Sequence, residues 1–254
     1  MTTLRPYASL LVLPVLPVLR VLLALPVLLG LQLAAGPATA QTPLAGAAWA
    51  SYRDTYRGMV VFEKYGSAKN LIVQHLQVAP RTRGVSMEGV QLTLSGKTVQ
   101  LNLALDAAGR TAFPLLKAAY DENAALVLNR APGQYTLRPR ISIVPRADGV
   151  YEGADLRAAC AQVLAYQRYS GAQAQSKKCA GVRFAFLRTP GEALLRLRKG
   201  AGAGEQPLAA TDGALFADEN SNAFKVIDVR FADLADKAQV VAPSAPLAIS
   251  ALIE

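Results

Sequence analysis

Histidine is nearly missing from this chain: of 254 residues only His75 is one. A metal site that needs two or three histidines is therefore impossible. A Ser–His–Asp arrangement would have to use His75, and neither a G-x-S-x-G elbow nor an S-x-x-K motif accompanies it. Cysteine is almost as scarce, with Cys160 and Cys179 the only two and no C-x-x-C. That spacing argues against a redox or metal pair. Aromatic residues make up 7% of the chain, too thin for the stacking platforms that bind nucleic acid. No run of five basic residues exists, so the formal charge of +9 is spread out.

What is present starts at the N-terminus. Arg5 and Arg20 supply positive charge, and Val21 to Leu33 is apolar apart from Gln32. Ala38-Thr39-Ala40 has the small-residue form of a cleavage site, so residues 1–40 read as a secretory signal and Gln41 as the mature start. A retained membrane anchor is the rival reading. Arg20 opposes it, since a central Arg costs ~2.5–3.5 kcal/mol on insertion scales. Pro14, Pro17 and Pro26 weaken the run further as a helix. Gln41 in place of Cys gives no sign of a lipid anchor. Residues 1–40 hold two Arg and no acid, so their removal lowers the formal charge from +9 to +7. The expected location is periplasmic or secreted. There the two cysteines are expected to pair, closing a loop worth ~3 kcal/mol in the chain-entropy model.

Trp49, Tyr52, Tyr56, Met59, Val60 and Glu63 fall at helical spacing and predict a helix over about 47–64. Leu156, Cys160, Val163, Leu164 and Gln167 predict a second over about 154–169, with Asp155 as its cap and Gly171 as its stop. Strand patterns fill much of the rest: 71–78, 90–94, 99–105, 111–113, 125–128, 134–144, 182–186, 194–197, 223–231 and 247–253. Pro139 makes 134–144 an edge strand or a bulged one. Residues 200–206, rich in Gly and Ala, read as a flexible loop. The fold class is mainly β (α+β), an antiparallel β-sandwich or small barrel with two added helices. Two regions are expected after the signal: a helix plus β-sandwich over 41–148, and a disulfide-containing α+β region over 149–254, which can pack as one unit with the first.

The motifs point away from common chemistries. Ser95-Gly96-Lys97-Thr98 looks like the end of a phosphate-binding loop, but Gln91 stands where a glycine is required and a strand follows instead of a helix. It reads as a hairpin turn, so no nucleotide is expected. Asp218, Asn220 and Asn222 have calcium-loop spacing, but Ala223 and Val229 occupy the positions that need Gly and Glu. A turn is the better reading, and no metal or cofactor is expected. Asp54, Glu63, Asp121, Glu122 and Asp155 are the acids from which a carboxylate-dependent hydrolase would have to be built. Arg138 with Arg140, and Arg196 with Arg198, each share a strand face and form candidate anion-binding rows.

The segment Leu105-Asp106-Ala107-Ala108-Gly109-Arg110-Thr111-Ala112-Phe113-Pro114-Leu115 resembles the strand–turn–strand phrase of carboxypeptidase-regulatory-like, transthyretin-type sandwiches, over about residues 84–145. With its signal and its Ala/Leu/Arg-rich style, the chain as a whole resembles the uncharacterised exported proteins of Gram-negative bacteria. Neither resemblance carries catalytic residues over. The expected function is that of an exported, non-enzymatic β-rich protein binding an envelope partner. The alternatives are an envelope hydrolase built on carboxylates and a binder of anionic polymers. No membrane span is expected after signal cleavage, and no specific nucleic-acid partner.

Overall fold

Residues 48–188, 195–200 and 204–254 are described by a computed structural model. The signal over 1–40, the start at Gln41, Leu194 and residues 201–203 of the expected loop lie outside the described residues. The described residues all belong to one compact unit, which spans Thr42–Glu254. In chain order its first half holds β1 (Ala48–Ser51), α1 (Tyr52–Lys64), β2 (Ile72–Pro80), β3 (Leu92–Ser95), β4 (Gln100–Leu103), β5 (Arg110–Thr111), α2 (Lys117–Asp121), β6 (Ala125–Leu128) and β7 (Tyr135–Ile143). The second half holds β8 (Val150–Glu152), α3 (Gly153–Ser170), β9 (Cys179–Phe186), β10 (Arg196–Arg198), β11 (Glu205–Pro207), β12 (Thr211–Gly213), β13 (Phe224–Arg230), β14 (Gln239–Val241) and β15 (Ala248–Ile253).

The strands form three antiparallel sheets, so the mainly β architecture with added helices is what the chain adopts. Two sheets have four strands each, in the orders β1-β6-β3-β4 and β11-β10-β14-β8. The third has seven, β12-β13-β9-β15-β7-β2-β5, and draws strands from both sides of residue 148. Leu92, Leu94, Leu126 and Leu128 of the first sheet pack with Tyr52 and Met59 of α1 and with Leu76 and Val78 of β2. A second core joins Leu156, Cys160 and Val163 of α3 to Val182, Phe184, Ile227 and Ile249 of the large sheet and to Val240 of the small one. Fully burying one such side chain contributes ~1.5–3 kcal/mol.

Both expected helices exist, with shifted starts. Residues 48–51 are strand β1, and Ser51 caps α1 by accepting a hydrogen bond from the Asp54 N–H at 3.2 Å. Trp49 therefore sits on a strand, because the Ser51 cap outweighs the helical spacing that precedes it. α3 has no side-chain cap, and Asp155 lies within its first turn instead. The Gly153 and Ala154 N–H groups donate to the carbonyls of Ala238 and Asp236. This docking needs a glycine, since a Cβ on Gly153 would lie 2.3 Å from the Ala235 oxygen. Gly171 does end α3, with its N–H on the Gln167 carbonyl. Cys160 and Cys179 are disulfide-bonded, Cα to Cα 6.1 Å, and tie the buried face of α3 to the first residue of β9.

The large sheet contains a fork. β7 pairs with β2 along its whole length, from Ile72↔Ile143 to Pro80↔Tyr135. Its other neighbour is β15, where the register holds only at Ile249↔Ile143. The Val144 N–H donates to Leu71 and the Arg81 N–H to Gln134, so the even-numbered residues of β7 direct their peptide groups at β2. Pro139 and Ile141 then direct theirs at β15. On β15, Ser250 and Leu252 face β9, while Ile249, Ala251 and Ile253 face β7. The next rungs would be Ile141↔Ala251 and Pro139↔Ile253. Pro139 has no N–H to give, so the second rung could form only one of its two hydrogen bonds, and the ladder is closed at Ile143 alone. β7 is thus an interior strand with an unbroken register to β2, not the edge or bulged strand that Pro139 suggested; the proline is accommodated because its nitrogen faces the stretch that β15 leaves unpaired.

Replacing Cys160 and Cys179 together by Ala is expected to lower unfolding free energy by about 3 kcal/mol. Urea unfolding with and without reductant checks this: the reductant should shift the wild-type midpoint and leave the double variant unmoved.

Candidate functional site

The fork opens into a cleft of about 700 Å³ that passes between the two faces of the large sheet. Cross-strand pairs assign the faces. Gln74, Pro139, Ile141, Ala251 and Ile253 lie on the side covered by α1 and α3, where Gly58, Val61, Val163 and Tyr166 complete the wall. Arg140 and Ser250 lie on the opposite side, where Phe216, Ala217 and Asp218 close the floor. Buried Tyr166 has its hydroxyl pKa raised by desolvation, partly offset by the nearby Gln74 amide. The Nε2 of Gln74 is buried at this wall beside that hydroxyl and meets no acceptor at full hydrogen-bond geometry among the described residues. Such a donor costs ~1–3 kcal/mol until an acceptor meets it.

The floor is held by side chains of the sheet. Arg140 is only 12% exposed and reaches Asp218 at 2.9 Å and Glu219, itself 8% exposed, at 3.2 Å. It also donates to Gln77 Oε1 at 3.0 Å and stacks 4.4 Å from the Phe216 ring centroid. Ser250 Oγ donates to the Leu215 carbonyl and Arg183 Nη1 to that of Ala214. The 214–219 segment is thus pinned at four points, which keeps the floor from collapsing into the fork.

The candidate anion-binding rows are occupied by the chain's own acids. Arg138 and Arg140 share Asp218, and Arg196 and Arg198 share Glu205 at 3.1 and 2.6 Å. Each of these guanidinium groups has its charge met within the molecule. Arg183 likewise makes a two-pronged pair with Asp228. The hydrolase acids are scattered: Asp54 pairs with Arg57, Asp121 with Lys117 and Asp155 with Arg146. None of these five acids lines this cleft or the smaller one of about 250 Å³ beside it.

Glu122 has a different task. Its Oε2 accepts from the N–H groups of Lys97 and Thr98, at 3.0 and 2.9 Å, and from the Thr98 hydroxyl at 3.1 Å. Ser95 to Thr98 is therefore the β3–β4 hairpin turn that the sequence indicates, and its anion is this carboxylate. In the calcium-like segment, Asp218 is committed to Arg138 and Arg140. Asn220 and Asn222 line the smaller cleft. Among the described residues no group of three or more His, Cys, Asp or Glu is placed to hold a metal ion.

His75 stands opposite Arg140 on the β2–β7 ladder and is half-buried. Its pKa is lowered by desolvation first and by the Arg110 charge second, against a smaller upward pull from Asp106. Gln74, Tyr166, Phe216 and Ser250 were not singled out by sequence patterns. Pro139 inside a strand was the one signal that pointed to their meeting place.

No protein-family model matches this chain, and no curated protein or solved structure does. Among the described residues, no helix is long and apolar enough to cross a membrane.

Arg140→Met should destabilise the protein by about 3 kcal/mol, because Glu219 would be left largely buried without its counter-charge, with only the Phe216 N–H at 3.4 Å still donating to it. Urea unfolding measures the loss, and amide exchange should show the 214–219 segment opening first. Because its pKa is lowered on folding, His75 binds fewer protons in the folded state than in the unfolded one. Its contribution is therefore complete above the unfolded pKa and is lost as pH falls from about 6.5. Melting temperatures from pH 7.5 to 5 should fall less steeply for His75→Gln than for wild type.

Proposed function

We propose that this protein works outside the cytoplasm as a non-enzymatic binding protein of the cell envelope and carries its partner in the fork cleft. The observation that carries this reading is the cleft itself. It lies where β15 leaves β7 unpaired, over a pinned floor, and the buried Gln74 amide stands at its wall. A wall of this kind suits holding better than chemistry. Its one lining carboxylate among the described residues, Asp218, is already shared by two guanidinium groups, and the adjacent Glu219 is held by Arg140. The signal over 1–40 supports export, and the disulfide fits an oxidising compartment.

The test has two measurements on the protein taken from its native cells. N-terminal sequencing of the envelope fraction should read from Gln41. Native mass spectrometry of the same material should show an added mass that is missing in Gly58→Phe, a substitution that fills the cleft mouth. Recovery of the protein only from the cytoplasm, or an identical spectrum for the variant, would overturn the reading.

A further inference from the structure

We propose that the cleft's ligand is a short extended peptide, which inserts between β7 and β15 as an added strand; this rests on the binding role proposed above. The walls of the cleft are two strand edges. Ile141 and Ala251, then Pro139 and Ile253, follow the last closed rung at Ile249↔Ile143 in register, and all four line the cleft. Their peptide groups point into the gap, as the alternation along β7 and β15 requires. The edges thus offer N–H groups at Ile141, Ala251 and Ile253, and carbonyls at all four positions. A backbone that supplies acceptors and donors every second residue on both of its sides satisfies them; an acyl chain or a sugar ring does not. Adding a strand to an exposed sheet edge is an established mode of peptide capture.

The side chains of such a strand would alternate between the two faces. One set meets Val61, Val163 and Tyr166, which favours apolar residues. The other meets Ser250 and Phe216, which favours small residues. The amide of Gln74 adds a donor beside the Ile141 edge, its cross-strand partner. Four residues on each edge from the closed rung to the mouth leave room for ~3–4 guest residues at about 3.3 Å each.

Two variants separate this mode from simple filling of an apolar hole. Gly58 is exposed on α1, and a Cβ there would meet only Pro139 Cγ, at 3.8 Å. Gly58→Phe therefore grows across the mouth while raising helix propensity. Ala251→Pro removes one inward N–H but none that serves β9, whose rungs fall on Ser250 and Leu252. The probe is a pool of capped random hexapeptides, with a second pool N-methylated at alternate residues, read by equilibrium binding to the full mature chain.

Wild type should retain the plain pool, Gly58→Phe should lose it, and Ala251→Pro should bind about tenfold more weakly, as the loss of one hydrogen bond implies. The N-methylated pool should be retained at least about tenfold less. Thermal melts confirm that both variants are folded. Equal retention of the two pools would overturn the inference, and so would failure of wild type to bind either. Palmitate bound by wild type and excluded by Gly58→Phe, with no peptide retained, would also overturn it while leaving the binding role of the cleft standing.

Discussion

One half-paired strand shapes this molecule. β7 is a nine-residue strand that satisfies one edge completely against β2. On the other edge Pro139 has nothing to donate, and the ladder with β15 closes at a single rung. A continuous sheet would bury the α3 side and leave no opening. With the fork, α1 and α3 above and the 214–219 segment below face one another through the sheet. The disulfide matters here for the same reason, because Cys160–Cys179 fixes α3 against β9 and keeps the upper wall in place.

On the opposite face of the sheet, buried polar side chains answer one another and the backbone. Gln77 Nε2 donates to the Ala108 carbonyl, and Arg110 binds Asp106 through two nitrogens while reaching the Leu247 carbonyl. Asp106 Oδ1 also accepts hydrogen bonds from the N–H groups of Ala108 and Arg110. Gly109 is required in that turn, with φ of +71° and a would-be Cβ 2.1 Å from the Val78 oxygen. Side chains of the sheet thus answer the carbonyls of the segments laid over it. Isolated, each such contact is worth about 1 kcal/mol, but a satisfied network also selects one arrangement over its neighbours.

Much of the secondary structure was legible because its causes are local. The β3–β4 hairpin follows from alternating residues around Ser95 to Thr98, and β6 falls on the expected residues 125–128. α3 was visible from its apolar stripe, although Tyr166 rather than Gln167 completes the buried side. The strands that went unseen, β8, β11, β12 and β14, have three residues each, too few for a period to register. β1 was hidden inside a helical spacing that the Ser51 cap interrupts. The short α2 gave no stripe at all. The arginine rows illustrate a different limit: Arg138 and Arg140 do share a face, but Asp218 and Glu219 reach them from about eighty residues away.

Residue order alone was enough for the class of fold, the disulfide and the odd strand with a proline in it. These depend on periodicity, on a pair of cysteines without alternatives, and on a ring that has no N–H. Whether the proline would make an outer edge, a bulge or a cleft depended on which strand came to lie beside it. That neighbour, β15, is separated from β7 by more than a hundred residues. Only the packed sheet brought Gln74, Tyr166, Phe216 and Ser250 around one opening, because each was placed by long-range pairing rather than by its neighbours in the chain.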